Sequence, residues 1–464
     1  MKQKSYPPHV LKYKHFYFSF LLFIVFGCKK NFEPVKFFDT AKSVLNNRVT
    51  ARPNILFIVG DDMGYEVPTC NGGQSYSTPN LDKLALNGLR FTQCHSSPLC
   101  APSRVSLLTG KQNFRNYEKW GYLRTDQKTI ANMLSDAGYA TCYAGKWQLD
   151  GGNNSILKFG WQKYSVWLPF LLEEESMEGS RYKSAKIYQN GGYLPDSATR
   201  NKYSDNIFTS YLLNFIDSVH SLNKPFFAYY SMILCHAPHS PTPDDSEYHT
   251  WNFTDQKGNP RFFSSEVKFM DKKIGAIINH LRKNNLLANT VIIFIGDNGS
   301  PKDVTSLYNN FLVNGGKSQT NEPGTNVPML IQWDKAIAPN RVSNALISFT
   351  DFLPTLADIA GIPKPNNYGI LDGISFYPLL SAGDTSSLRT EIFTSYCINP
   401  SVNPWRRWVQ NDSYKLYDTN VYKRSYTFVK ISKCRPDSLL VNLTTQEKTI
   451  RENFKAVLRS YDTN

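Results

Sequence analysis

The segment Cys100-Ala101-Pro102-Ser103-Arg104 sets a thiol, a proline and an arginine close together, ahead of the run Val105 to Thr109 and the stop Gly110. Pro102 marks a helix start, because its fixed φ suits the first turn and its missing N–H is not needed there. The free N–H groups and positive dipole end of such a helix stabilise an anion on residue 100. Arg104, one turn further on, adds a fork of donors suited to an oxyanion. A thiolate fits this place. A cysteine phosphatase does not, because that chemistry needs Cys-x5-Arg and residue 106 is Ser.

A second group of residues suits a metal. Asp61-Asp62 and Asp297-Asn298 offer hard oxygen ligands and no histidine, a composition for Ca²⁺ or Mg²⁺ rather than zinc. Two adjacent carboxylates repel each other if both ionise in a crevice, and a divalent cation removes that repulsion.

The elements that must position these groups alternate along the chain from residue 53. NILFIVG (54–60), YATCYAG (139–145), PFFAYYSMI (225–233), TVIIFIG (290–296), VPMLIQW (327–333) and NALISFT (344–350) read as strands. Stretches 127–137, 204–219 and 265–285 read as helices. Thr78-Pro79 opens another, with Thr78 as its cap and Gly88 as its stop. Strands that are apolar throughout and separated by helices predict an α/β fold. Its large, mostly parallel mixed sheet is covered by helices on both faces. After about residue 380 the strands shorten and end in a helix, Thr445 to Ser460, which predicts a smaller C-terminal α+β subdomain. Asp61-Asp62, Lys146, His236 with His239, and Asp297-Asn298 all follow predicted strands. In open α/β sheets that rim is the ligand crevice.

The totals agree with a folded enzyme-sized chain: 464 residues, 41% hydrophobic and 19% charged. The N-terminus reads as processing signal. Lys12, Lys14 and His15 precede the apolar run Phe16 to Phe26, too short to span a bilayer comfortably. The run ends in Gly27-Cys28, which resembles the lipobox of bacterial lipoproteins, with a plain signal cut nearby as the alternative. The reading is therefore a leader at 1–27, a tether at 28–50 beginning on lipidated Cys28, and an exported protein on the periplasmic side or attached to the outer membrane. The formal charge of +14 falls to about +10 without the four lysines of the leader, which suggests anionic ligands. No Lys/Arg-rich run or nucleic-acid motif is present, so nucleic acid is excluded. Of the eight cysteines, Cys142 and Cys235 lie in apolar strand-like runs and read as buried free thiols.

The motif Cys-x-Pro-Ser-Arg followed by LLTG resembles the signature of type I sulfatases, in the alkaline phosphatase superfamily. PNILFIVGDDMGY, TPNLDKLALNGLRFT, AGKW, PHSP, GDNG and GGK appear in that family's order, from about residue 52 to about 380. The resemblance implies that Cys100 is converted to formylglycine by a maturing enzyme, so that a gem-diol oxygen attacks sulfur. It implies Ca²⁺ on Asp61, Asp62, Asp297, Asn298 and residue 100. It implies that Arg104 steadies the formylglycine, that Lys146 and Lys317 hold sulfate oxygens, and that His239 is the general acid. His236 stays a structural or substrate-contacting residue. The implied domains are a catalytic domain at 51–380 and the subdomain at 381–464. The implied substrate is a sulfate ester, with a sulfated saccharide as partner.

Two positions depart from the pattern. Gln148 stands where the family's motif usually has His, and Gln cannot act as a base: either another group does that work, or the step is slower, or Gln148 only hydrogen-bonds sulfate, the role it is assigned here. Glu322-Pro323-Gly324-Thr325-Asn326 stands for Glu-Gly-Gly-x-Arg and lacks the arginine. The competing readings are a phosphatase or phosphodiesterase of the same superfamily, and a weakly catalytic lipoprotein that binds sulfated glycans.

Overall fold

The computed structural model describes residues 52–170, 180–255, 257–363, 365–381, 388–420 and 425–462. The leader, Cys28 and the tether lie outside them. The strands are β1 Asn54–Gly60, β2 Leu89–His95, β3 Ala140–Lys146, β4 Lys163–Trp167, β5 Tyr188–Gln189, β6 Gly192–Tyr193, β7 Phe226–Ser231, β8 Thr290–Gly296, β9 Thr305–Tyr308, β10 Phe311–Asn314, β11 Asn326–Gln332 and β12 Arg341–Ser348, followed by β13 Ile392–Tyr396, β14 Arg406–Gln410, β15 Tyr414–Asn420, β16 Ser425–Lys430 and β17 Ser438–Leu439.

Ten of them form one sheet in the order β12-β2-β11-β8-β1-β7-β3-β4-β5-β6. Its centre, β8-β1-β7-β3-β4, is parallel. β11 runs antiparallel between β8 and β2, and β12 is parallel to β2. Strands β8, β1 and β7 are buried from end to end, so the alternation of side chains sorts residues between two apolar layers rather than between core and water. In β1, Ile55, Phe57 and Val59 join the layer that holds Val105, Leu107 and Leu108 of the helix Cys100–Thr109. Leu56 and Ile58 join the opposite layer, with Phe208, Leu212 and Ile216 of the helix Ser204–Ser221 and Val267, Met270 and Ile274 of the helix Phe263–Lys283. Each such side chain contributes about 1.5–3 kcal/mol when fully buried.

The predicted C-terminal unit is an antiparallel sheet, β13-β14-β15-β16-β17, carrying the helix Thr445–Ser460. It packs through Phe393, Val409, Leu416, Phe428, Phe454 and Leu458. All seven cysteines of the described residues, Cys142 and Cys235 included, are free thiols.

The helix Pro79–Leu86 starts where the sequence predicts but is not capped as it predicts. Thr78 makes no cap hydrogen bond to the helix. Its Oγ1 accepts instead from the N–H of Thr69, at 2.9 Å. The cap comes from Asp271, on the helix Phe263–Lys283. Its carboxylate accepts from the N–H groups of Asn80 (3.0 Å) and Leu81 (2.9 Å) and from Asn80 Nδ2 (2.7 Å). A local cap has been replaced by a tertiary one, which also locks two helices together. Asp271→Ala leaves those donors without an acceptor and is expected to cost about 1–3 kcal/mol in denaturant unfolding. A cost below about 0.5 kcal/mol would contradict this assignment.

Candidate active site

Four neighbouring parallel strands, β8, β1, β7 and β3, bring their C-terminal ends to one rim. Asp61 and Asp62 follow β1, Asp297 and Asn298 follow β8, Ser231 ends β7 and Lys146 ends β3. Backbone bonds stitch the tips together: Asp61 N–H to Leu234 O (2.8 Å) and Asp297 N–H to Gly60 O (3.0 Å). Asp62 holds a left-handed φ of 55°, a strained conformation for a residue with a Cβ. It is fixed there by its own N–H, which donates to Asp297 Oδ1 at 3.0 Å. Gly145 has φ 101°, and a Cβ at that position would collide with Ser231 O. Glycine is what lets β3 deliver Lys146 this close to β7.

The carboxylates of Asp61, Asp62 and Asp297 are fully buried. Lys146 Nζ straddles Asp61, at 2.8 and 2.7 Å from its two oxygens. Arg104 donates through Nε to Asp297 Oδ2 at 2.9 Å and through Nη1 to Ser231 Oγ, which in turn donates to Lys146 O at 2.8 Å. Lys317 pairs with Asp62. Burial alone would raise Asp61, but the positive charges around it, Lys146 foremost, outweigh it and hold that carboxyl well below its ordinary range. Asp297 has less compensation, and burial pushes it up to about 6 even beside Arg104.

Cys100 is the first residue of the helix Cys100–Thr109, after an extended Leu99 that offers no side-chain cap. The whole helix is buried. Ser103 Oγ ties it to Ser97 O at 2.8 Å, and Ser318 N–H ties the Lys317 loop to Pro98 O at 2.7 Å. The helix end therefore lies where the sequence predicts, but it does not make a thiolate. Burial pushes the Cys100 thiol up, and neighbouring Asp61 and Asp297 push it the same way. A protonated thiol is a poor nucleophile.

A cation fits the cluster. One ligand atom each from Asp61, Cys100 and Asp297 lie within 4.8 Å of one another, as do those of Asp61, Asp62 and His236. Asn298 Nδ2 donates to Asp62 Oδ1 at 2.8 Å, while its buried Oδ1 has no partner among the described residues. An orphaned acceptor among carboxylates suits a hard divalent ion.

The two histidines differ. His239 is buried, with Nδ1 at 2.7 Å from Glu266 Oε2 and Nε2 unpartnered. Burial opposes its proton, but the hydrogen bond and charge of Glu266 outweigh burial, and its pKa is raised. His236, left aside by the sequence reading, reaches the ions. Its Nε2 accepts from Lys317 Nζ at 2.8 Å and lies 3.7 Å from Asp62 Oδ2. Burial, then Arg181, lowers its pKa to about 3, so it is neutral. Gln148 follows two residues after Lys146, half-buried with a φ of 45°, and its side chain has no hydrogen bond among the described residues. Glu266, Arg181 and Ser231 were missed. Ser231 sits inside an apparent strand, and Glu266 and Arg181 carry no motif, so only the fold brings them here. Glu322, whose motif lacks its arginine, is instead contacted by Gln410 Nε2 at 3.1 Å and Lys415 Nζ at 3.7 Å, both from the C-terminal sheet.

Comparison with known proteins agrees with this architecture. The sulfatase family model matches residues 53–362, and the model of the N-sulphoglucosamine sulphohydrolase C-terminal region matches residues 316–460. Human arylsulfatase A is 31% identical over 379 residues, covering 74% of this chain and 71% of its own. Mouse N-acetylgalactosamine-6-sulfatase is 29% identical over 367 residues, covering 71% and 66%. A protein solved with its substrate D-glucosamine-2-N,6-O-disulfate shares the fold, with a TM-score of 0.71 at 20% identity, covering 89% of this chain and 99% of its own. The match spans the strands, the buried helix and the acidic rim alike, and the chain belongs to the sulfatase family of sulfuric ester hydrolases.

Proposed function

We propose that the chain cleaves sulfate esters on a saccharide, using formylglycine made from Cys100 by a maturing enzyme and one Ca²⁺. The ion would be held by Asp61, Asp62, Asp297, Asn298 and residue 100. The observation that carries this reading is that two buried carboxylates, Asp61 and Asp297, meet the first residue of one buried helix, with Asp62, the unpartnered amide oxygen of Asn298 and several cations in the same cluster. Formylglycine at residue 100 would supply a hydrated aldehyde, whose hydroxyls would serve as nucleophile toward sulfur and as the group that releases sulfate. Bound Ca²⁺ supplies charge that favours the ionised hydroxyl and draws sulfate oxygens.

The chain's own residues do the rest. Arg104 keeps Asp297 charged and fixed beside residue 100. Lys146 and Lys317, standing on Asp61 and Asp62, flank an anion drawn to the site and offset the charge that builds on its oxygens. As the S–O bond to the alcohol breaks, His239 gives its proton to the leaving oxygen, oriented by Glu266. Gln148 offers sulfate a neutral hydrogen bond and no base.

A saccharide substrate is supported by the names of a hexosamine sulfatase relative and of the disulfated glucosamine complex. The leader supports export as a lipoprotein anchored through Cys28, at the periplasm or outer membrane. No helix among the described residues is long and apolar enough to cross a membrane. Within this reading, residues 51–380 form the catalytic domain and 381–464 the subdomain that braces the Lys317 loop. Lys415 Nζ and Tyr417 Oη both donate to Thr320 O, at 2.7 and 3.0 Å. A zinc phosphatase or phosphodiesterase is the second reading, favoured by the proximity of His236 to Asp61 and Asp62. Cys100 in place of a Ser or Thr nucleophile weighs against it.

Release of inorganic sulfate from an aryl sulfate should fall on EDTA treatment and return with Ca²⁺, and elemental analysis should find about one calcium per chain. Asp61→Asn should lower occupancy and turnover together, by more than about a hundredfold. Two zinc ions per chain would move the protein to the second reading.

The pH profile tests the acid. His239 must hold its proton, so activity is lost as pH rises through its raised pKa. Glu266→Gln removes the charge that raises it. The alkaline limb of kcat/KM should therefore move to lower pH, with the acid limb unmoved. An unshifted alkaline limb would remove His239 from the role of acid.

A further inference from the structure

Arg181 belongs to no motif of the sequence, yet its guanidinium enters the site. Its side chain is only 9% exposed, and Nη1 lies 3.9 Å from Asp61 Oδ2, the oxygen that Lys146 holds from its other side. The guanidinium lies over the Trp167 ring, 4.5 Å from its centroid. Trp167 pairs in register with Lys146 across β4 and β3, so the ring under Arg181 sits at the strand position beside Lys146. The backbone is pinned as well. Ser204 Oγ donates to Arg181 O at 2.9 Å, and Ser204 N–H donates to Tyr182 O at 2.7 Å. Tyr182 stacks on Tyr203, and its hydroxyl donates to His236 O. Yet Nε and Nη1 of Arg181 are buried without a hydrogen-bond partner among the described residues.

Buried guanidinium donors are rarely left unsatisfied, and when rigidly held they mark a place for an anion. A separation of 3.9 Å from Asp61 is too long for a hydrogen bond and leaves those donors free for a ligand. Gln148, near the end of the same strand pair, contributes no charge. We propose that Arg181 is a further binding residue for the scissile sulfate itself, a planar fork beside the point charge of Lys146, which replaces with a fixed cation what the neutral Gln148 does not supply. This rests on the sulfatase chemistry proposed above and adds a residue to it.

Inorganic sulfate, the product of the proposed reaction, is the probe. Calorimetric titration of sulfate into the metal-loaded protein should show Arg181→Ala weakening the dissociation constant by about tenfold to hundredfold, the range of one charge-assisted hydrogen-bonding group. kcat/KM for an aryl sulfate, which carries no second anion, should fall comparably. Arg181→Lys keeps charge and stem but not the fork, so it should recover only part of the loss. It also reports if the alanine variant does not fold. Sulfate affinity within twofold of wild type in either folded variant would overturn the proposal. So would a defect seen only with a substrate that bears a second anionic group, since Arg181 would then read that group. If the wild-type protein neither binds sulfate nor releases it from an aryl sulfate, the failure lies in the sulfatase reading and takes this proposal with it.

Discussion

Three carboxylates buried at one rim are the constraint on which the rest of the site depends. Stripped of water and unpaired, each would cost several kcal/mol. The fold meets this by bringing cations from separate places in the chain: Arg104 from the buried helix, Lys146 from a strand end, Lys317 from the loop before β11 and Arg181 from a pinned turn. Much of the local geometry follows. Asp62 is held in a strained backbone conformation so that its carboxylate and its N–H both join the cluster, and Gly145 is needed so that Lys146 can reach it.

The same burial decides what residue 100 can be. A helix N-terminus with an arginine one turn on is a good place for an anion, and that argument from sequence favours a thiolate. In the folded chain desolvation and two carboxylates raise the thiol's pKa against the opposing charges of Lys146 and Lys317. An oxygen on residue 100 would sit in the same cluster, where a cation shared with Asp61 and Asp297 would favour its ionised form, as it would that of a bound thiol. The raised thiol pKa counts against a free thiolate as nucleophile and supports the proposed conversion of Cys100.

What could be read in advance divides along physical lines. Strands β1 and β8 are apolar runs bounded by polar turns, and their ends lie where the sequence put them. The acidic pairs were legible because the ends of parallel strands meet at one rim. Long-range contacts were not legible. Asp271 is far in sequence from the helix it caps, Glu266 lies on a different element from His239, and Arg181 follows a stretch with no pattern. His236 was read as structural or substrate-contacting; its contact with Lys317 and Asp62 separates it from His239. The missing arginine after Glu322 was visible as an absence. Its compensation by Lys415 and Gln410 needed the C-terminal sheet to be seen in place.

The central claim is that the cluster surrounds an oxygen-bearing residue made from Cys100, and the mass of one peptide tests it most directly. Trypsin releases residues 91–104 as a single fragment containing Cys94 and Cys100. Protein produced with a formylglycine-generating enzyme, and active on an aryl sulfate, should give that fragment with an aldehyde at residue 100 that reacts with a hydrazide, while Cys94 alone takes up the alkylating reagent. Fully active protein in which Cys100 remains an alkylatable thiol would contradict the account.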